Sequence, residues 1–167
     1  MGMADVFGPD ERVELIAGEI YRMSPAGRFH EVLRTQLAYH WARRAPASVM
    51  VAAEMQLRLS DDHQPVLDIG VWPAHLLAPD ARGPDMLLAV EIADTSLKMD
   101  TTLKAAAYAE CRVREYWVIN ARTRETLIHR EPGPQGYAVR LVVAAGEVAT
   151  PLLVHELATS MADLPAA

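Results

Sequence analysis

Residues 86–120, MLLAVEIADTSLKMDTTLKAAAYAECRVREYWVIN, decide the fold of this chain. The opening run MLLAVEIA is almost continuously apolar, which is typical of a central strand covered on both faces. We predict a loop at 94–100 and a helix at 101–111, with Asp100 as its N-cap. EYWVIN at 115–120 predicts a second buried strand. A strand, a helix and another strand therefore form the middle of the chain.

Hairpin patterns lie on both sides of this unit. Before it, two short apolar runs at 13–23 flank Ala17 and Gly18, which are typical of a turn. After it, residues 123–143 read as two antiparallel strands, and a last strand is predicted near 147–154. The other predicted elements are a helix at 28–44 and strands at 48–59 and 65–72. Together they predict an α/β fold, a mixed central β-sheet flanked by helices, with antiparallel hairpins at both ends.

The length of 167 residues fits one ordinary domain. Apolar residues make up 51% of the chain, which is enough for a sizeable core. We predict a loose lead-in at residues 1–12 and a single domain at 13–167. The sequence shows no secretory signal and no apolar run near the roughly 20 residues that a membrane span needs. With Cys111 as its one cysteine, the chain is expected to be soluble and cytoplasmic.

The net charge of −6 excludes a wholly basic surface, so any nucleic-acid contact must rest on local positive charge and bound cations. One basic segment stands out at 21–45, where five arginines face a single glutamate, Glu31. Its arginines are Arg22, Arg28, Arg34, Arg43 and Arg44. The segment is interpreted either as a surface that follows a phosphate backbone or as an ordinary solvated helix face.

Two carboxylates lie within apolar strands. Asp68 is in the middle of PVLDIGVW and Glu91 in the middle of MLLAVEIA. An ionised carboxylate is rarely buried without a partner, because burial removes its hydration. The side chains that share their faces are small, since Gly70 accompanies Asp68, and Ala89 and Ala93 accompany Glu91. The pattern predicts a pocket that binds Mg²⁺ or Mn²⁺ between two strands.

A lysine that would complete such a site is Lys104, on the helix that follows the Glu91 strand. Tyr108 lies four residues later on the same, partly apolar face, so we expect the ammonium to point away from open solvent. There it would orient the attacking water or bind the phosphate. Lys98, in the preceding predicted loop, is the second choice.

Three segments together resemble the Uma-type restriction endonuclease family. They are VELIAGEIYRMSPAGRFHEVL, LRLSDDHQPVLDIGVW and VEIADTSLKMDTTLKAAAYAECRVREYWVIN. The resemblance covers roughly residues 12–150 in order, and it implies the PD-(D/E)XK nuclease-like fold with a restriction-endonuclease-like core. By resemblance, Asp68 and Glu91 match the acids of the family and Lys104 its helical lysine.

The resemblance also implies that Glu19 and His30 line the same cleft. The chain departs from the wider superfamily at two points, because Leu67 replaces the proline before the aspartate and Ala93 stands where a lysine usually follows the glutamate. We expect Asp68, Glu91 and the carbonyl of Ile92 to hold the metal ion. A homodimer is expected from resemblance alone.

These observations favour a metal-dependent endonuclease that hydrolyses DNA, with Arg28 and Arg34 as possible phosphate contacts. The alternative is a catalytically inactive module of the same fold that binds nucleic acid or protein. A third hypothesis, an unrelated small-molecule hydrolase, requires the resemblance to be accidental. Structural roles also stay open at this point, since each acid could pair with an arginine, Lys104 could be a solvated helix residue, and His30 could be structural.

Overall fold

The computed structural model of the protein describes residues 12–167. Except for Arg12, the predicted lead-in at 1–12 therefore lies outside the described residues. The single domain predicted for 13–167 stays a prediction. Within the described part, no helix is long and apolar enough to cross a membrane.

A six-stranded mixed sheet forms the centre of the fold, with strands in the order β3-β4-β5-β6-β7-β8. These strands are β3 (Val49–Gln56), β4 (Val66–Pro73), β5 (Leu88–Ala93), β6 (Glu115–Asn120), β7 (Thr126–Gly133) and β8 (Gly136–Val143). All neighbours are antiparallel except β5 and β6, which are parallel and are joined by a helical crossover. The predicted mixed sheet is confirmed.

Two small sheets accompany the central one. The first is the N-terminal hairpin of β1 (Val13–Ile16) and β2 (Glu19–Arg22), which turns at Ala17 and Gly18 as predicted. The second pairs β9 (Val148–Ala149) with β10 (Thr159–Ser160). The strand predicted near 147–154 is thus only two residues long, because the chain beyond it turns toward a short 3-10 turn at His155–Leu157.

Helix α1 (Arg28–Arg44) covers one face of the sheet. Leu33, Leu37 and Trp41 recur at intervals of four residues, so they form one apolar stripe, and all three are buried. The indole of Trp41 packs edge-on against Trp117 of β6, with ring centroids 5.8 Å apart. This packing fixes α1 on the sheet and brings its N-terminal turn close to β4, where Asp68 lies.

The crossover from β5 to β6 covers the other face and corrects one prediction. The residues expected to form a loop at 94–100 already contain helix α2 (Leu97–Met99). A π-helical turn follows at Asp100–Lys104, and α3 (Ala105–Glu110) completes the crossover. Asp100 is therefore inside the helical stretch and is not its N-cap, since its backbone is helical. Wider π turns are often found at functional sites, and this one carries Lys104.

Candidate active site

Asp68 and Glu91 lie on neighbouring antiparallel strands of the central sheet. The register pairs Ile69 of β4 with Val90 of β5, so one step further along sets Asp68 opposite Glu91. Residues opposite each other in an antiparallel pair project from the same face of the sheet. Ala89 and Ala93, the small neighbours of Glu91 along β5, pack in the core on the α3 side of the sheet.

Asp68 is held by two contacts. Its Oδ2 accepts a hydrogen bond from the backbone N–H of Ile92 at 2.7 Å. Its Oδ1 lies 2.9 Å from Nε2 of His30, on the first turn of α1. Burial lowers the pKa of His30, but the hydrogen bond and the negative charge of Asp68 outweigh that effect, so the pKa is raised. The partner of Asp68 is therefore an imidazole and a backbone amide, and not an arginine.

Glu91 and Lys104 form a buried ion pair. Nζ of Lys104 donates to Oε1 of Glu91 at 3.2 Å, and the hydroxyl of Tyr108 donates to the same oxygen at 2.8 Å. Only 7% of the Lys104 side chain is exposed, so the structural alternative of a solvated helix lysine does not hold. Both hydrogen bonds from described residues end at Oε1, which leaves Oε2 of Glu91 available to a ligand.

Two further carboxylates surround Lys104. Oε2 of Glu14, from strand β1, is 3.0 Å from Nζ, and Oδ1 of Asp100 is 3.7 Å from it. Both side chains are buried. Neither residue is expected at the site from the sequence, because Glu14 lies far away in the chain and Asp100 is predicted to be a helix cap. The spacing of four residues from Asp100 to Lys104 was the one available signal.

The electrostatics of this cluster are dominated by buried negative charge. Burial raises the pKa of Glu91 well above its usual value, and Lys104 only partly opposes this effect, while the neighbouring acids reinforce it. The pKa of Asp100 is raised for the same reasons. Burial alone would lower the pKa of Lys104, but Glu91, Glu14 and Asp100 raise it instead. Lys104 is therefore protonated at neutral pH.

The cluster lines a cavity of about 720 Å³. Its wall also carries basic side chains, namely Arg12, Arg22, Arg34 and Lys98. Arg34 is the most enclosed of the arginines predicted to contact phosphate, with 12% of its side chain exposed, and it pairs with Glu31 at 2.6 Å and Glu54 at 2.8 Å. The cavity thus combines an acidic interior with a basic wall.

The structure brings most of the predicted site residues to this cavity. Asp68, Glu91, Ile92, Lys104, His30, Lys98 and Arg34 line it. Tyr108 is packed beside Glu91 through its hydroxyl. All of these assignments stay predictions as functional roles, since geometry alone does not test a role.

Two of the predicted residues lie elsewhere. Glu19 is exposed at the start of β2, where its carboxylate accepts a hydrogen bond from Tyr21, and it does not line the cavity. Glu14 of the same hairpin lines the cavity in its place. Arg28 is exposed at the start of α1 and is also outside the cavity wall. Glu19 therefore lies outside the cavity that it was expected to line, whereas the phosphate contact of Arg28 stays a prediction.

The donor atoms fit a divalent cation. Among residues 12–167, no three His, Cys, Asp or Glu side chains form a ready-made ion-binding group. Carboxylate and carbonyl oxygens are nevertheless the ligands that Mg²⁺ and Mn²⁺ prefer, and Asp68, Glu91 and the carbonyl of Ile92 supply them. Burial, reinforced by the neighbouring acids, raises the pKa of Glu91 more than Lys104 lowers it, and a bound cation would favour the ionised carboxylate.

Comparison with known proteins gives the same picture of the fold. The structure is similar to the crystal structure of a "putative nuclease belonging to DUF820" from Anabaena variabilis, with a TM-score of 0.75 and 15% sequence identity. The match covers 90% of this chain and 88% of that one. No curated protein matches the chain. The family model Uma2, described as "putative restriction endonuclease", matches residues 3–163. Because that match spans nearly the whole sequence, the chain belongs to the Uma2 family.

Proposed function

We propose that the protein is a metal-dependent endonuclease that hydrolyses phosphodiester bonds in DNA. One observation carries the proposal, which is the convergence of Asp68, Glu91 and Lys104 on one cavity. Membership of the Uma2 family supports a nuclease-like function. A phosphodiesterase needs a place for a divalent ion, a cation for the phosphate and access for a charged strand. The cavity combines carboxylates for the ion, Lys104 for the phosphate and space for the strand.

The proposed roles follow from the contacts. Asp68 and Glu91 hold the ion with the carbonyl of Ile92. When bound, Mg²⁺ or Mn²⁺ activates water and neutralises charge that develops on the phosphate. Lys104 keeps its proton, so it binds a phosphate oxygen or orients the water as a hydrogen-bond donor. His30 contacts Oδ1 of Asp68 at 2.9 Å and thereby fixes that oxygen.

The substrate and the assembly belong to the same proposal. The basic side chains on the cavity wall, Arg34 above all, favour a polyanion despite the net charge of −6. Contacts of this kind bind phosphates and carry no base readout, so we expect recognition of shape more than of sequence. Cutting both strands of a duplex would use two copies of the site, and a homodimer is therefore part of the proposal.

A direct assay tests the catalytic claim. Supercoiled, linear and single-stranded DNA would each be incubated with Mg²⁺ or Mn²⁺ and with the wild-type protein, Glu91→Gln or Lys104→Ala. We expect cleavage that requires the ion and falls by about 100- to 1000-fold in either variant, the usual range when one preorganised charge-stabilising group is removed. The matched control is Asp61→Asn, which changes an exposed carboxylate that pairs with Arg58 at 2.7 Å. Cleavage that survives both active-site variants contradicts the proposal.

The inactive module remains the competing hypothesis. The observation that favours it is the lack, within residues 12–167, of a preformed three-ligand ion site. It predicts that DNA binds equally well with and without divalent ions and is never cut. The cleavage assay and a parallel binding measurement on the same samples therefore separate the two functions.

Asp68→Asn separates a metal ligand from a structural acid. Asparagine can still accept the hydrogen bond from Ile92 N–H and can donate to Nε2 of His30, so both contacts of Asp68 have a substitute. We expect the free energy of unfolding without metal to stay within about 0.5 kcal/mol of wild type. The stabilisation by Mg²⁺, about 2.7 kcal/mol at a hundred times Kd, should be lost. Denaturant unfolding with and without Mg²⁺ measures both quantities. A loss of about 3–5 kcal/mol in the absence of metal would show instead that Asp68 is half of a structural ion pair.

A further inference from the structure

One carboxylate on the cavity wall is held between two guanidinium groups. Oε1 of Glu54, on strand β3, accepts from Nη2 of Arg12 and from Nη1 of Arg34, each at 2.8 Å. Arg12, Arg34 and Glu54 all line the cavity that contains Asp68 and Glu91. Two arginines that share one carboxylate oxygen in this way could bind a phosphate oxygen with the same geometry.

The backbone of Glu54 is unusual for its place in the sheet. Its φ is +53°, which side-chain-bearing residues rarely adopt because it costs free energy. The ladder between β3 and β4 pairs Ala53 with Ile69 and Met55 with Leu67 but skips Glu54, which stands opposite Asp68. Strained residues of this kind concentrate at ligand-binding sites. Here the strained position directly adjoins the proposed metal ligand.

The charge state of Glu54 fits the same interpretation. Its pKa is lowered, chiefly by the hydrogen bond from Arg12; burial opposes this effect, and the hydrogen bond and charge of Arg34 lower the pKa further. The carboxylate is thus an anion bound by the protein's own arginines. Its side chain is 42% exposed, so it can turn away into solvent when another anion arrives.

We propose that Arg12 and Arg34 form a second phosphate subsite, and that Glu54 is the internal counter-ion that a nucleic-acid phosphate displaces. The identity of the anion rests on the proposed function, since the scissile phosphate would lie beside Asp68 and Glu91 and a neighbouring phosphate of the same strand would reach the two arginines. Glu54 thereby makes the subsite selective among anions. Weakly bound anions fail to displace it, whereas a strand that also occupies the metal site gains both arginines.

Binding without hydrolysis tests this proposal. A fluorescent single-stranded oligonucleotide, and its duplex, would be titrated with each variant at low salt in the presence of a chelator. Glu54→Gln removes the competing charge and keeps the shape of the side chain, so we expect Kd to fall by about five- to tenfold. The gain should shrink at high salt, because exposed charges are screened. Adding Arg12→Gln to Glu54→Gln should remove most of the gain.

The matched control is again Asp61→Asn. It removes one negative charge and releases an arginine, Arg58, from a 2.7 Å pair outside the cavity wall. If Asp61→Asn tightens binding as much as Glu54→Gln does, net charge explains the effect and the subsite is wrong, whatever the fate of the nuclease proposal. If no variant binds either probe without divalent ions, the subsite is wrong, and the cleavage assay tests the proposed function separately.

Discussion

Replacing Lys104 by methionine should lower the free energy of unfolding by about 3–5 kcal/mol at neutral pH. The ammonium is buried and is shared by Glu14, Glu91 and Asp100 at 3.0, 3.2 and 3.7 Å. Methionine fills a similar volume but leaves those carboxylates without their common cation. The cost is that of buried, uncompensated charge.

The loss of stability in Lys104→Met should grow as the pH rises. Burial already raises the pKa of Glu91 and Asp100, and without Lys104 these two carboxyls retain protons in the folded state at pH values where the unfolded chain has lost them. Stability of the variant therefore falls as pH rises from the unfolded carboxyl pKa toward the raised folded value, and urea unfolding at about pH 5 and about pH 8 should show the larger loss at the higher pH.

Lys98→Met is the matched control for this experiment. Lys98 lies on the same helical stretch and also lines the cavity, but its side chain is exposed. Its replacement should change stability by no more than about 0.5 kcal/mol. Equal stability of Lys104→Met and wild type would mean that the ammonium is solvated, which contradicts the buried cluster.

Glu91→Gln should affect stability and cleavage in opposite directions. Glutamine keeps an acceptor oxygen for Lys104 and Tyr108, so the hydrogen bonds to Oε1 have a substitute. It also removes one of several buried negative charges. We expect the variant to be at least as stable as wild type while its cleavage rate falls by about 100- to 1000-fold.

The expected stability of Glu91→Gln can be checked through the pH dependence of unfolding in the wild type. The folded pKa of Glu91 is raised well above 4.5, so between that value and the folded pKa the native state binds a proton that the unfolded state lacks. Stability therefore decreases as pH rises through this interval. In Glu91→Gln that part of the slope should vanish, which unfolding experiments at several pH values would measure. A variant that is destabilised by about 3–5 kcal/mol would mean that the charge of Glu91 holds the fold together.

Much of the fold follows from local patterns in the sequence. Local residue patterns predict the buried strands β5 and β6 and helix α1, and the structure confirms all three elements. The helical stretch that begins at Leu97 was missed. It contains the i,i+4 pair of Asp100 and Lys104, whose burial depends on contacts of Lys104 with Glu14 and Glu91 from other strands. Local propensity therefore predicts a helix that begins at residue 101, whereas the helical stretch begins at Leu97.

The candidate site was only partly accessible from the sequence. Asp68 and Glu91 were noticeable because a carboxylate in an apolar strand needs a partner. Glu14 was not, because in a short hairpin strand an acid reads as an ordinary exposed residue. Its role depends on the packing of hairpin β1-β2 against the cluster, which the hydrogen bonds of Ala17 N–H to His63 and of Gly18 N–H to Asp62 help to fix. Contacts of this kind join distant parts of the chain, and no local pattern encodes them.

Calorimetric titration of Mg²⁺ or Mn²⁺ tests the central claim most directly. Wild-type protein, Asp68→Asn, Glu91→Gln and the Asp61→Asn control would be titrated in the absence of DNA, after each has been shown to be folded. We predict saturable binding to the wild type and the control, and none to the two cavity variants. If the ion binds both cavity variants as tightly as the wild type, or fails to bind the wild type, Asp68 and Glu91 do not form a metal site.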